Sequence, residues 1–461
     1  MSDNASPAET DTLHGFGIDA DTRQAVDEAL EARDGAALDA ALEPLHAADI
    51  ADLLEQVDGE DRDAIVSLVP THIDGDVLSE LDEDLREEVI AALPAPMLGE
   101  AVRDLDSDDI VDLIEDLEAP QQTAILNALE AADRAAARQA LSYPEYSAGR
   151  LMQREVVAAP EHWTVGETVD FMRANQASLP EQFYHVILVD PRMNPVATVT
   201  LGRLLAARRE ARLTDITEEV LHTVPVTQPE DEVAYAFNHY HLISAPVVDE
   251  DGRLVGVVTI DDAMAVLDEE HEEDILRLGG VGETNLFDPV LRVVRGRFGW
   301  LLVNLVTAIL ASVVIDRFED SIAQIVALAV LMPIVASMGG NAGTQTLTVV
   351  VRALATRDLT AANILRVIRR ELLVGFVNGL GFAVIMAGVA AAWFGRPMIG
   401  VVIALAMVMT LVAAALGGIL IPLALDRMKI DPALASGPFV TTITDIVGFL
   451  SFLGIATLVL L

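Results

Sequence analysis

From residue 298 onward the chain consists largely of uncharged stretches that are long enough to cross a lipid bilayer. A helix needs about 20 apolar residues to span the hydrocarbon core. Several such stretches in one chain require a membrane, because a soluble protein does not bury so many of them. The sequence therefore predicts an all-α transmembrane domain of five helices over residues 298–461. Its stretches are Phe298 to Ile315, Ile322 to Val351, Leu372 to Gly395, Pro397 to Leu425 and Pro432 to Leu461.

Arginine and lysine residues lie mostly at one end of these five stretches. The other end has only Arg317 and Arg396. Because cytoplasmic loops retain positive charge, we predict a multi-pass protein of the cell membrane, with a cytoplasmic N-terminus and the C-terminus outside. The cytoplasmic set is Arg292, Arg295, Arg297, Arg352, Arg357, Arg366, Arg369, Arg370, Arg427 and Lys429.

The first 291 residues are strongly acidic. They hold 64 acidic and 17 basic residues, whereas residues 292–461 hold 8 and 12. A single lysine beside 28 arginines is typical of a halophile's protein, and high salt screens charges beyond about 3 Å at 1 M. Bulk acidity is therefore weak evidence for metal binding, and it argues against nucleic acid as a partner. The absence of cysteine excludes disulfides and thiolate metal sites.

Residues 20–141, after a leader at 1–19 that we expect to be disordered, have apolar positions at helical spacing. The segment DIADLLEQV at Asp49 returns as DIVDLIEDL at Asp109, which is 60 residues later. This self-similarity predicts an all-α domain of helical repeats. We interpret most of its acids as a solvated face.

A second pattern, of short strands alternating with helices, occurs twice, over residues 142–213 and 214–267. VILVDPRMNPVATVTLGRLLA at Val186 is answered by APVVDEDGRLVGVVTIDDAMA at Ala245. The pair resembles two α/β cystathionine-β-synthase (CBS) modules, which implies self-pairing and one adenine nucleotide site, for ATP or a relative. Thr259 and Asp262 match that family's ribose-contacting Thr-x-x-Asp, whereas the first copy has Thr200 followed by Arg203.

A connecting helix over residues 268–297 is predicted between the second module and the membrane domain. Six acids crowd its start: Asp268, Glu269, Glu270, Glu272, Glu273 and Asp274. Like charges one turn apart destabilise a helix, so bound cations would stabilise this one. A solvated acidic helix of a salt-adapted protein is the alternative interpretation.

Asp445 is the one charge in the fifth apolar stretch, about 20 Å along the helix from Pro432. A carboxylate at that depth costs roughly 2.5 to 3.5 kcal/mol and usually faces an ion path or a partner. No Arg or Lys lies in the apolar stretches to neutralise it. The alternative is a carboxyl that bonds to Thr441, Thr442 or Thr444 as helix glue.

The second stretch contains MPIVASMGGNAGTQTLT from Met332, in which Pro333 and three glycines should loosen the helix. Irregular backbone at membrane depth is tolerated where it lines a cavity. Asn341 and Gln345 present amide oxygens at i and i+4, which suit a hydrated Mg²⁺ ion. Close helix packing through Gly339, Gly340 and Gly343 is an equally good interpretation.

The motifs MGGNAGTQ, KIDPALASGP and TTITDIVGFL, together with the order of domains, resemble the MgtE family of magnesium channels over essentially the whole chain. The resemblance implies a homodimer with the pore on its two-fold axis, lined by helix five. Asp445 would hold hydrated Mg²⁺ and Thr441 would lie beside the pore. Mg²⁺-sensing acids would be Asp262, Glu270, Glu273 and Asp274, and Asp431 would be a metal-binding acid at the cytoplasmic entry of helix five. Ala265 and Gly437 depart from the family's pattern.

We therefore predict a Mg²⁺-selective channel or transporter for uptake, and not an enzyme. Cytoplasmic Mg²⁺ would close it by neutralising acids that otherwise repel one another, a population shift driven by differential affinity. Two alternatives stay open at this point. One is a secondary carrier for Mg²⁺, Mn²⁺ or Co²⁺, although we find no inverted repeat; the other is a membrane metal sensor that does not transport.

Overall fold

A computed structural model describes residues 17–461 except 104, 116, 118, 177, 178, 181 and 282–289. Most of the predicted leader, residues 1–16, therefore lies outside the described residues, as does part of the predicted connecting segment. The chain divides into two compact units, Met1–Asp268 and Glu269–Leu461. Each unit has its own hydrophobic core.

Where the structure describes it, the first unit begins with ten short helices around a core of Leu, Ile and Val side chains. The 60-residue repeat is confirmed, because α3 and α4 have the same lengths and spacing as α8 and α9 to within one residue. The helices are α1 (Ala20–Ala32), α2 (Gly35–Leu42), α3 (Ala47–Gln56), α4 (Gly59–Leu68), α5 (Gly75–Ser79), α6 (Glu83–Ala92), α7 (Ala95–Ala101), α8 (Ser107–Glu115), α9 (Ala119–Ala128) and α10 (Ala131–Ala140).

Arginine side chains join successive helices of these repeats. Arg62 of α4 donates to the carbonyls of Leu54 and Val57, at the end of α3. Arg134 of α10 binds the end of α9 in the same way, through Leu126 and Leu129. Helix ends leave four carbonyls without partners, so a buried guanidinium satisfies several of them at once.

Two α/β modules follow, and each has a three-stranded sheet with one parallel and one antiparallel pairing. The antiparallel pairs have their bulges at equivalent places, Leu188/Val189 and Val247/Val248. The predicted doubled pattern is thus confirmed. The elements are α11 (Ala148–Leu151), β1 (Ala158–Pro160), α12 (Val165–Ala174), β2 (His185–Val189), β3 (Pro195–Thr200), α13 (Leu201–Ala206), β4 (Val224–Pro225), α14 (Glu230–Tyr240), β5 (Ser244–Val248), β6 (Leu254–Thr259) and α15 (Ile260–Gly279).

The segment that precedes β1 packs into the second module. Ala148 and Met152 lie in the core that contains Val247 and Val258. Gln153 also pairs with Val257 as an isolated bridge. Although the sequence pattern places residues from 142 onward in the first module, those around α11 complete the second.

The described residues of the second unit contain five helices that are long and apolar enough to cross a membrane, as predicted. The short helix α17 lies between the first two of them. The helices are α16 (Val290–Asp316), α17 (Glu319–Gln324), α18 (Ala327–Ala355), α19 (Ile364–Phe394), α20 (Pro397–Arg427) and α21 (Pro432–Leu460).

Helix α18 is one continuous helix of 29 residues, although Pro333 lies inside it. The expected loosening is therefore not found. The glycines instead allow close packing: an added Cβ at Gly339 would lie 2.6 Å from Thr410 of α20, and one at Gly343 would lie 2.6 Å from Val440 of α21. The packing interpretation of these two glycines is confirmed, whereas Gly340 has nothing within 4 Å of that position.

Candidate functional site

Three carboxylates of the first unit lie close to one another in a partly buried place between α8 and the start of α15. Burial is the largest cause that raises the pKa of each: that of Asp108 well above its usual range, that of Asp109 to about 7 and that of Asp262 to about 6. The charge of Asp262 adds to the shift of both α8 acids. We call Asp108, Asp109 and Asp262 the acid cluster.

Hydrogen bonds from the segment after α11 hold helix α8 in place. The Ser107 hydroxyl donates to Glu155 at 2.8 Å and accepts from the backbone N–H of Arg154. The Gln153 amide donates to Asp106 at 2.7 Å. Because α8 is fixed at its first turn, Asp108 and Asp109 are kept near the second module even though their charges repel.

Asp262 is also the residue that the sequence assigns to a ribose. Its carboxylate accepts hydrogen bonds from the backbone N–H and the hydroxyl of Thr259. These bonds lower its pKa, but burial outweighs them. The predicted pair therefore meets, and the carboxylate that would contact a ribose belongs to the acid cluster as well.

The equivalent place in the first module contains different groups. Arg203 donates to the carbonyl of Thr217. The ring of His185 bonds to Ser244 of the second module at 2.7 Å and lies 3.5 Å from Glu218. Thus the chain's own side chains use the polar groups at this position, and the prediction of at most one nucleotide site stays a prediction.

A second group of acids lies at the foot of α21. Asp431 caps this helix by accepting from the N–H of Ala433, and its other oxygen accepts from Arg277 at 2.8 Å. Arg277 also pairs with Glu273, one turn earlier on α15. Burial, followed by the charge of Asp431, raises the pKa of Asp274. Arg277 thus supplies this group with a cation from the chain itself.

The predicted cytoplasmic metal-binding acids therefore fall into two groups, with Asp262 in the acid cluster and the sensing acids Glu273 and Asp274 beside Asp431 around Arg277. Glu270 is exposed on α15. Among the residues that the structure describes, no three His, Asp or Glu side chains already form a metal-binding set. The acid cluster is close enough for mutual repulsion but is not arranged as a ligand shell.

Asp445 lies half-buried near the middle of α21. Its carboxylate has no hydrogen bond or ion pair with any residue in the described part of the chain. The hydroxyls of Thr441, Thr442 and Thr444 donate to backbone carbonyls of their own helix instead. The helix-glue interpretation of Asp445 is therefore wrong, because each of the three neighbouring hydroxyls has another acceptor.

The predicted pore residues on α18 lie away from the packed interior of the single chain. Asn341 and Gln345 are exposed, as is Thr441 on α21. The opposite face of α18 carries Gly339 and Gly343, which pack on α20 and α21. The helix-two amides are thus directed outward, where another molecule or lipid would meet them.

Sequence reasoning missed Asp108, Asp109 and Arg277. One signal for the acids was present: the first repeat has Ala48-Asp49 where the second has Asp108-Asp109, so Asp108 is an additional acid. Arg277 was visible as the single basic residue that follows the acidic run of α15 by one turn. Neither signal gives the tertiary partner.

Comparisons with known proteins cover both units. A family model described as a divalent cation transporter matches residues 332–455, the MgtE intracellular N domain matches 45–146, and a CBS domain matches 213–269. The chain is 33% identical to a magnesium transporter MgtE of Bacillus subtilis over 72% of this chain and 74% of that protein. It is 35% identical, with the same coverage, to the magnesium transporter MgtE of Thermus thermophilus.

Among solved structures, the cytosolic domain of the Mg²⁺ channel MgtE in complex with ATP is 32% identical to this chain. It covers 53% of this chain and 99% of its own length, with a TM-score of 0.49.

Proposed function

This chain belongs to the MgtE family of divalent cation transporters, and we propose that it carries Mg²⁺ into the cell through a pore that contains Asp445. The observation that carries the proposal is the carboxylate of Asp445 in α21, which has no side-chain partner among the residues that the structure describes. A carboxylate within the membrane is costly unless it meets a cation. A hydrated Mg²⁺ ion meets this need, since Mg²⁺ retains waters and binds through one or two carboxylates.

We infer that the pore forms between two copies of the chain. The interior among α18, α20 and α21 is filled by side chains such as Val335, Met407 and Phe452. Asn341, Gln345 and Thr441 are exposed on the single chain instead. Polar side chains on an outer surface at membrane depth favour a water-filled path shared with a second chain.

We further propose that the acid cluster is where cytoplasmic Mg²⁺ acts. Asp108, Asp109 and Asp262 repel one another while they are buried, and bound Mg²⁺ would remove that repulsion. Mg²⁺ would therefore favour the arrangement in which α8 and α15 lie together, and the free ion would shift the population toward it. Helix α15 begins beside the acid cluster and continues to Gly279. A change in position at its start would therefore be transmitted along the helix to its end.

The same observation favours metal over a nucleotide at Asp262. A ribose hydroxyl would leave the neighbouring charges of Asp108 and Asp109 uncompensated, whereas a divalent ion neutralises them. Binding of ATP or another adenine nucleotide at Thr259 and Asp262 stays a prediction. Direct titration of the full-length protein with ATP, in the presence and absence of Mg²⁺, tests it.

Purified protein in liposomes tests the transport proposal. With Mg²⁺ outside and a Mg²⁺-sensitive dye inside, we expect dye signals well above those of protein-free liposomes, and inhibition when Mg²⁺ is also added on the cytoplasmic side. Rates equal to those of protein-free liposomes would support a metal sensor that does not transport. Single-channel currents would separate a channel from a carrier, and the same assay with Mn²⁺ and Co²⁺ measures selectivity.

A further inference from the structure

Helix α19 has two faces with opposite chemistry along its whole cytoplasmic half. One face packs on the neighbouring helices through Ile364 and Ile368, and through Gly375 against Leu411 and Ala415 of α20. The other face carries Arg366, Arg369 and Arg370, which are all exposed. At 3.6 residues per turn, these three arginines lie on the side of the helix opposite to Gly375.

The arginine face continues directly into an apolar stripe. Leu373, Val377 and Leu380 lie on the same side and are 63%, 58% and 54% exposed. The described part of the chain leaves this stripe exposed, and exposed apolar side chains at membrane depth suit lipid chains. The three arginines therefore lie at the foot of an exposed apolar surface.

The depth of the three arginines in the bilayer also indicates that they lie beside lipid. The uncharged part of α19, residues 372–394, is about 34 Å long at 1.5 Å per residue, which covers a hydrocarbon core of about 30 Å. The preceding turns, with Arg366, Arg369 and Arg370, then lie at the level of the phospholipid headgroups. Among the described residues, none of the three guanidinium groups has an ion pair or a hydrogen bond.

We propose that Arg366, Arg369 and Arg370 form a binding site for an anionic phospholipid of the cytoplasmic leaflet. The lipid's chains lie on the Leu373–Leu380 stripe, and its phosphate accepts hydrogen bonds from the guanidinium groups. Arginine suits this role because its planar fork donates two hydrogen bonds to one phosphate. The site lies apart from the pore residues and does not depend on the proposed transport.

Native mass spectrometry of the full-length protein, titrated with phosphatidylglycerol in detergent, measures this binding. We expect the triple variant Arg366→Gln/Arg369→Gln/Arg370→Gln to bind this lipid on the order of a hundredfold more weakly, at about fivefold per arginine. The triple lysine variant is the matched control and should keep most of the affinity. Phosphatidylcholine, whose choline cation offsets the charge of its phosphate, should show a much smaller difference among the three proteins.

Two further arms make the result decisive. Inorganic phosphate at equal concentration should not displace phosphatidylglycerol, because it lacks the chains; full displacement would overturn a lipid site. In nanodiscs, phosphatidylglycerol should raise the thermal unfolding temperature of the wild type more than that of the glutamine variant. The glutamine variant could instead be less stable than the wild type by the same amount in pure phosphatidylcholine as in phosphatidylglycerol. The arginines would then contact protein, either the acidic half or a second copy, and the lipid site would be overturned.

If the triple glutamine variant does not fold, Arg366→Gln alone is used, with a fivefold loss expected. Unchanged phosphatidylglycerol affinity in that variant and in the corresponding Arg369 and Arg370 variants would overturn the proposal.

Discussion

Two aspartates of helix α21 lie 14 residues apart and have opposite surroundings. Asp431 at the foot of the helix caps it and pairs with Arg277. Asp445, near the middle, has no partner within the described part of the chain. Acidity by itself therefore does not mark a metal site: the carboxylate of Asp431 already has a cation from the chain, whereas that of Asp445 has none among the described residues.

The same distinction separates the acid cluster from the group around Arg277. Asp108, Asp109 and Asp262 have raised pKa values because burial disfavours their charged forms and their charges repel. Glu273 and Asp431 share a guanidinium. We call Glu273, Asp274, Asp431 and Arg277 the Arg277 group. We therefore expect the acid cluster to respond to Mg²⁺ and the Arg277 group to be much less sensitive to it.

Removing charge from the acid cluster should have the largest regulatory effect. In the double variant Asp109→Asn/Asp262→Asn, we expect the cytoplasmic Mg²⁺ concentration for half-inhibition of flux to rise on the order of a hundredfold, because metal affinity depends on the number of ligand charges. The liposome assay with Mg²⁺ added on the cytoplasmic side measures it.

Asp49→Asn is the matched control, since Asp49 occupies the position of Asp109 in the first repeat. It should leave inhibition unchanged. Inhibition that is equal in the double variant and the wild type would remove the acid cluster from the sensing mechanism.

Acid pH should weaken the effect of Mg²⁺ on the acid cluster. Burial raises the pKa of Asp109 to about 7 and that of Asp262 to about 6, from an ordinary value of 3.8. Their protonated forms stabilise the fold most fully below pH 4, and this contribution is lost as the pH rises through 6 to 7. Mg²⁺ binds the ionised forms and competes with protons.

Between pH 7.5 and pH 5.5, the Mg²⁺ concentration that gives half-protection from protease should therefore rise on the order of tenfold. Without Mg²⁺, the thermal unfolding temperature of the same protein should rise over this step. A Mg²⁺ requirement that does not change with pH would contradict the assigned acids.

Replacing Arg277 should have a smaller effect, which is a modest loss of stability. It should also make the stability of the Arg277 group depend on added metal. Arg277→Gln leaves Glu273 and Asp431 without their shared cation, and we expect a loss of about 1 kcal/mol because the pair is partly exposed. Added Mg²⁺ should restore part of this stability in the variant. Thermal unfolding with and without Mg²⁺ measures both effects.

Arg277→Lys keeps the charge and should lose less stability than the glutamine variant. If Mg²⁺ stabilises the wild type and Arg277→Gln by the same amount, the guanidinium does not occupy a place that a metal can take.

The spans, the helical repeat and the doubled α/β pattern were predictable because each is a local property of the sequence. No tertiary information is needed to recognise twenty apolar residues in a row, a repeat at an interval of 60 residues or two matching strand-turn-strand segments. The depth of Asp445 followed from the same counting.

The partners of the acids were not predictable, because they depend on packing between distant segments. Asp109 meets Asp262 only when α8 is fixed by Ser107 and Glu155. Arg277 and Asp431 lie 154 residues apart in the chain. The glycines of α18 illustrate the same limit: their spacing fits both a broken helix and close packing, and the side chains of Thr410 and Val440 decide for packing.

The most direct test of this contrast is Mg²⁺ flux in liposomes that contain Asp445→Asn or Asp431→Asn, prepared and assayed together with the wild type. We predict that Asp445→Asn reduces flux to the level of protein-free liposomes, because the ion loses its only charged partner within the membrane. Asp431→Asn should retain flux on the order of the wild type, since its carboxylate serves Arg277 and the helix cap. Wild-type flux in Asp445→Asn, or equal loss in both variants, would contradict the account.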